Sequence, residues 1–219
     1  MADRVRMQTL GLALVTFGQG LPFIHAGSEV LRSKSLDRNS YNSGDWFNRL
    51  DFTYQTNNWG VGLPPARDNQ GNWPIIRPLL ANPALRPGAA DIRAASDRFR
   101  ELLEIRKSSR LFRLRTAGEI EQRLTFRNTG PGQVPGLIVM ELSDVPAPDL
   151  DPGAEAIIVF FNATDGQQLL TYPDLRGRHF TLHKTQRTSD DEVVEGAQFV
   201  PGQGRFRVPP RTTAVFVED

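Results

Sequence analysis

Five consecutive residues, Asp45-Trp46-Phe47-Asn48-Arg49, carry the groups that can hold a polyhydroxylated ligand. A carboxylate accepts hydrogen bonds from two adjacent sugar hydroxyls, and a guanidinium donates to two oxygens at once. With the two groups four residues apart, one helical turn puts both heads on the same side. Trp46 or Phe47 supplies a flat face for stacking. The same residues would equally serve as an Asp–Arg pair bracing its own loop, and the local pattern leaves both readings open.

Other residues invite weaker readings. Glu29 stands just after a short apolar run that contains His25. Residues at the C-terminal ends of barrel strands read as catalytic candidates. A glycosidase needs two opposed carboxylates, and the nearby choices are Asp37, Asp45 and Asp51. Glu29 is therefore read as a structural or supporting residue. His179 and His183 are four apart but alternate with Phe180 and Leu182, so they read as two surface histidines on a strand rather than a metal site. No phosphate-binding loop, nucleophile elbow or dinucleotide fingerprint is present.

The elements that must position these residues fall into two styles. Residues 3–18 read as a helix ended by Gly18 and Gly20, and Leu21–Ala26 as a parallel strand buried on both faces. From Gly27 to about Gly88 the chain reads as a long irregular loop, with prolines keeping regular structure out of its second half. Its Tyr and Trp content is too high for disorder. Ile92, Ala95, Phe99, Leu102, Leu103 and Ile105 then follow helical spacing from Ala89 to about Arg110.

Beyond about residue 115 the pattern changes. Strand-like runs occur at 119–127, 136–141, 156–162, 179–182, 204–208 and 212–217, separated by Gly, Pro, Asn and Asp. The expected fold class is thus mixed α/β followed by all-β, with an antiparallel sandwich at the C-terminal end. The expected domains are residues 1–115 and 116–219.

Composition narrows the partners. The 219 residues are 39% hydrophobic and 23% charged, with a net charge of +1, which argues against nucleic acid or an anionic membrane as the main partner. There is no cysteine, so disulfides and thiolate chemistry are excluded. Arg4 and Arg6 precede an apolar run, Leu10–Phe17, but Asp3 and the Gly18-to-Pro22 break disagree with a signal peptide. The run is too short to span a bilayer, and localisation is left undetermined.

Gly20 to Glu29 has the spacing Gly-x-Pro-x4-Gly-x-Glu, which resembles the last barrel strand of the α-amylase superfamily, glycoside hydrolase family 13. The residues that follow, Leu31 to Ser35, Asp37 to Arg49, and Asn57-Asn58-Trp59-Gly60-Val61-Gly62-Leu63-Pro64, resemble pullulanase-type α-1,6-glucosidases, the debranching enzymes of that group. Arg106-Lys107-Ser108-Ser109 with Leu111-Phe112 continues the likeness.

The resemblance implies the closing helix–strand–helix part of a (β/α)₈ barrel followed by a β-sandwich. It implies that Asp45 and Arg49 hold a glucose, on the non-reducing side of the cut, of an α-glucan such as pullulan, glycogen or a limit dextrin, with Trp46 as the candidate stacking face. It also implies that the catalytic carboxylates lie on earlier barrel strands, so no residue here is assigned as nucleophile, general acid or metal ligand. The missing N-terminal barrel portion is then an expected partner. No cofactor is implied, and calcium is left open. A stand-alone, non-catalytic glucan-binding module is the alternative expectation.

Overall fold

The computed structural model describes residues 1–218. The chain forms two compact units, Met1–Thr9 with Ile24–Asp97, and Leu10–Phe23 with Arg98–Asp219. Helix α1 (Ala2–Phe17) opens the chain. The first unit then follows with little regular structure: short α2 (Gly44–Asn48), α3 (Ala66–Asn69) and α4 (Trp73–Ala81), joined by single 3₁₀ turns. Helix α5 (Ala89–Ser108) starts where the Asp91 carboxylate accepts the Gly88 N–H at 2.8 Å. Its apolar spacing is visible in the burial of Ile92, Ala95, Leu102 and Ile105.

The second unit is dominated by two antiparallel sheets. After the two-turn helix α6 (Ala117–Arg123) come β1 (Leu124–Phe126), β2 (Leu137–Ser143), β3 (Ala156–Asn162), β4 (Gln168–Thr171) and β5 (Phe180–Leu182). Two single-turn helices follow, α7 (Lys184–Arg187) and α8 (Glu192–Glu195), then β6 (Gln198–Val200), β7 (Arg205–Val208) and β8 (Thr212–Glu218). One sheet has the order β1-β2-β3-β8-β5, the other β4-β7-β6. Strand β3 pairs in register with β2 from Asn162 opposite Leu137 to Ala156 opposite Ser143, and with β8 on its other side.

Every residue of β3 is buried, because both of its faces are covered. Ile158 and Phe160 join the core shared by the two sheets, where Phe160 and Phe206 lie 4.8 Å apart and Phe206 and Phe216 lie 5.0 Å apart. On the opposite face Phe161 meets Phe17 at the end of α1, which in turn packs on Phe112 at 5.0 Å. A continuous apolar run is what a strand covered on both sides needs.

Two arginines organise the irregular parts of this unit. Arg106, buried on α5, donates from Nη1 to the carbonyl oxygens of Thr16 at 2.6 Å and Gly18 at 3.0 Å, and from Nη2 to Gly20 at 2.7 Å. The Thr16 carbonyl is one of those left over where α1 stops, and Gly18 and Gly20 lie just beyond it. Arg123, the last residue of α6, pairs with Asp144 and also donates to the carbonyls of Ser143, Pro146 and Pro148.

Four local expectations need correction. Leu21–Ala26 forms no strand: Leu21 and Phe23 are 87% and 88% exposed, and no described strand pairs with the segment. A strand exists only through its neighbours, which a local run cannot supply. Residues 117–123 are helical rather than extended, because Thr116 accepts the Glu119 N–H at 3.1 Å while the Glu119 carboxylate accepts the Thr116 N–H, also at 3.1 Å. That reciprocal capping fixes the helix start. Prolines do not keep helix out of the loop: Pro74 occupies the first turn of α4, where no N–H donor is required, and Pro78 costs it one internal bond. Finally, β4 and β6 are strands that the spacing did not reveal.

Candidate functional site

The loop that carries the candidate residues is held by backbone geometry that few residues tolerate. Gly27 has φ of 95°, and a Cβ there would stand 2.5 Å from Leu50 Cδ2 and 2.7 Å from Arg32 Cδ. Among the described residues, five of the six non-glycine residues with positive φ fall within the same region, at Leu31, Ser35, Leu36, Tyr54 and Asn58. Such conformations cost on the order of 1–3 kcal/mol each and persist only where the surroundings over-determine them.

Those surroundings are side chains reaching backbone. Arg32 donates from Nη1 to the Ala26 carbonyl at 3.1 Å and from Nη2 to the Asn48 carbonyl, tying the loop's start to the end of α2. Asn57 donates to the Leu31 carbonyl at 2.7 Å, and Asn58 to the Trp46 carbonyl at 3.0 Å. Asn48 donates to the carbonyls of Ser40 and Gly44 at 2.7 and 3.0 Å. Trp46 Nε1 donates to the Val61 carbonyl at 3.0 Å, so the ring edge is fixed while the side chain remains 62% exposed.

Asp45 lies in the first turn of α2, and Arg49 caps its end with φ −56° and ψ 140°. Both are exposed, and together with Trp46 and Asn48 they line one open concavity of about 330 Å³. Among the described residues they form no ion pair with each other and neither head group makes a hydrogen bond. The loop-bracing use of the pair is therefore not the one adopted.

Three other carboxylates of the loop, Glu29, Asp37 and Asp51, already accept hydrogen bonds. Glu29 accepts the Gly27 N–H at 3.0 Å. Asp37 accepts from Asn69 Nδ2 at 2.9 Å, from the Asn39 N–H at 3.1 Å and from the Ser43 hydroxyl. Burial opposes its ionisation, but the hydrogen bonds from Ser43, Asn69 and Asn39 and the charge of Lys34 outweigh this and hold its carboxyl below the usual value. Asp51 accepts from the hydroxyls and N–H groups of Thr53 and Thr56, which depress its carboxyl strongly. Of Glu29, Asp37, Asp45 and Asp51, Asp45 alone accepts no hydrogen bond among the described residues, and His25 is exposed.

His183 is not a surface histidine. It is 6% exposed and caps α7, with Nδ1 accepting the Thr185 N–H at 3.2 Å and Nε2 3.1 Å from Ser108 Oγ. Burial, with the charges of Lys184 and Arg187, pulls it down to about 4. His179 is exposed. Among the described residues no group of three or more acidic or histidine side chains is arranged to hold a metal ion, and no helix is long and apolar enough to cross a membrane.

A model of the family described as alpha-1,6-glucosidases, pullulanase-type, C-terminal, matches residues 54–219. The chain belongs to this pullulanase-type family. It is 49% identical over 99% of its length to the chloroplastic pullulanase 1 of Arabidopsis thaliana, of which it covers 23%. It superposes on the crystal structure of PulA from Klebsiella oxytoca with a TM-score of 0.91 at 37% identity, covering 100% of this chain and 21% of that one. A maltotriose complex of PulA from Klebsiella pneumoniae gives a TM-score of 0.90 at 37% identity, covering 98% of this chain and 23% of that one.

This pullulanase-type chain thus spans about a quarter or less of the length of these relatives. Asp45, Trp46 and Arg49 precede the matched family segment but lie within the span shared with the relatives. Residues that the spacing did not single out, Arg32, Asn58 and Asn69, do the positioning. The Asn57-Asn58 pair before Trp59-Gly60 is their one sequence signal, since Asn tolerates the left-handed conformation seen at Asn58.

Proposed function

We propose that this chain is the C-terminal part of a debranching glycoside hydrolase that cleaves α-1,6-glucosidic linkages in pullulan, glycogen and starch-derived dextrins. In this reading residues 1–115 close a (β/α)₈ barrel, and residues 116–219 form a C-terminal β-sandwich domain. The exposed Leu21 and Phe23 support the barrel assignment, since a barrel strand is buried only when strands on either side are present. The two carboxylates of a retaining mechanism lie on other barrel strands. This chain supplies part of the glucan cleft and no group for bond breaking.

The observation that carries the reading is the pairing of an uncommitted carboxylate and an uncommitted guanidinium beside an exposed, edge-fixed indole, in a loop where Glu29, Asp37 and Asp51 already accept internal hydrogen bonds. Asp45 and Arg49 accept from and donate to the hydroxyls of one glucose, and Trp46 covers its face. Maltotriose bound to a relative with the same fold supports an α-glucan as the ligand.

The test is Asp45→Ala in the full-length enzyme. Loss of hydrogen bonds to a charged group predicts a fall in kcat/KM on pullulan of roughly 10- to 100-fold, with the thermal midpoint unchanged. Unchanged kinetics would overturn the glucose role. The 219-residue chain by itself is expected to release no reducing sugar from pullulan, and release above a blank would overturn the division of labour.

A further inference from the structure

We infer that Arg32 is a positioning residue for bond cleavage: it sets where Asp45 and Arg49 hold their glucose relative to the chain at Ala26, and touches no sugar itself. The inference rests on the glucose-binding and barrel readings given above. Arg32 bridges two parts of the loop that are distant in sequence. Nη1 donates to the Ala26 carbonyl at 3.1 Å, and Nη2 donates to the Asn48 carbonyl. The first carbonyl closes the segment that resembles the last barrel strand. The second belongs to the peptide that joins Asn48 to Arg49. A guanidinium holds its donors in a rigid planar fork, so two acceptors bound to it keep a set spacing.

The turn is shaped to let this side chain pass. A Cβ at position 27 would stand 2.7 Å from Arg32 Cδ and 2.8 Å from Arg32 Cβ, so only glycine leaves the path open. Leu31, directly before Arg32, holds a left-handed φ of 56°. The Arg32 Nε is buried and has no hydrogen-bond partner among the described residues. A buried donor without a partner works against stability. The loop thus combines an unsatisfied donor with backbone strain at the one residue that links Ala26 to Asn48. Such unfavourable features gather where a geometry serves binding or catalysis.

Helix α2 has other supports of its own. Asn48 donates to the carbonyls of Ser40 and Gly44, Asn58 to that of Trp46, and Trp46 to that of Val61. Removing the guanidinium therefore leaves Asp45, Trp46 and Arg49 assembled, while their direct tie to Ala26 is lost. Barrel active sites lie at the C-terminal ends of the strands, so in the barrel reading Ala26 belongs to the frame that carries the catalytic carboxylates. A glucose held by an untied pair still binds, but its glycosidic bond sits away from those carboxylates. A misplacement of about 1 Å lowers a rate on the order of 100-fold.

The experiment measures kcat on pullulan and maltotriose binding by calorimetry in the full-length enzyme. Arg32→Met should lower kcat by roughly 10- to 100-fold while maltotriose affinity changes by less than about threefold. Its thermal midpoint should stay near that of the wild type, because the unsatisfied Nε is removed together with the two hydrogen bonds. Arg32→Lys, whose single ammonium reaches one carbonyl at a time, should give an intermediate kcat at unchanged maltotriose affinity. Asp45→Ala should weaken maltotriose itself. If Asp45→Ala weakens maltotriose while Arg32→Met keeps the wild-type kcat, or loses it only in step with maltotriose affinity, the positioning role is overturned and the glucose reading stands. Should Arg32→Met fail to fold, a wild-type kcat in Arg32→Lys overturns the role in the same way. If Asp45→Ala leaves maltotriose binding unchanged, both readings fall.

Discussion

The carboxamide of Asn69 donates from Nδ2 to Asp37 at 2.9 Å while its oxygen accepts the N–H of Arg38 at 3.1 Å. One buried side chain thereby fixes the segment that leads towards the concavity of Asp45 and Arg49. Asn69 Nδ2 also reaches the Pro65 carbonyl at 2.9 Å. Asn69→Leu keeps the branched shape but leaves these partners unpaired. The expected loss is about 2–3 kcal/mol of unfolding free energy, read from the urea midpoint at constant slope. A shift of a few tenths would show that the segment is held by other means.

Gly27 offers a sharper test of backbone strain. Its φ of 95° is one that L side chains rarely adopt, and the nearest obstacles to a Cβ are Leu50 at 2.5 Å and Arg32 at 2.7 and 2.8 Å. Gly27→Ala combines the conformational cost with overpacking, so about 2–4 kcal/mol is expected. Because Arg32 also ties Asn48, the substitution should disturb oligosaccharide binding as well as stability. Wild-type stability in this variant would mean that the turn can relax.

The pH dependence of stability has a clear sign at His183. Its folded value of about 4 lies below the ordinary 6.5, because burial and the charges of Lys184 and Arg187 disfavour the imidazolium. Between these values the unfolded chain binds a proton that the folded chain does not. The stability contributed by neutral His183 is therefore complete above about pH 6.5 and is lost as pH falls towards 4, about 3 kcal/mol in all. Glu101, whose carboxyl is pushed up by burial and by the charges of Asp191 and Asp190, works in the opposite direction. Comparing wild type with His183→Gln isolates the histidine: the variant's denaturation profile should be flatter between pH 6.5 and 4. Parallel profiles would contradict the buried neutral imidazole.

Arg123 and Asp144 form a buried pair, 1% and 4% exposed at their side chains. Asp144 also accepts the N–H groups of Leu150 at 2.9 Å and Asp151 at 2.6 Å. Arg123→Met should cost about 3–5 kcal/mol, since a buried carboxylate is left without its cation. Replacing both residues by leucines should not recover that loss, although it often does for isolated buried pairs. Here the Pro146 and Pro148 carbonyls and two N–H groups would lose their partners too. Recovery of stability in the double variant, seen by thermal melting, would assign the cost to the charges alone.

Legibility in the sequence followed the range of the interactions. The apolar run 156–162 and the helical spacing from Ile92 to Ile105 reflect burial repeated along one element, so they could be read locally. The Thr116–Glu119 capping box was equally local, yet alternation after Glu119 suggested a strand, and the cap prevailed because it satisfies two helix-end donors at once. Leu21–Ala26 and His183 depend on partners distant in sequence, which no local pattern contains. At the candidate site the exposed residues Asp45, Trp46 and Arg49, which line one concavity, stood out by type and spacing. Their supports did not, because Arg32, Asn58 and Asn69 act on backbone oxygens and N–H groups up to 31 residues away.

Arg106 gathers the carbonyl oxygens of Thr16, Gly18 and Gly20 around one positive charge. Converging carbonyls of this kind are how many proteins coordinate a hard metal ion. Here the cation is covalently tethered to α5, so the bend after α1 keeps its counter-charge whatever the ionic make-up of the medium, and chelators have nothing to remove from it.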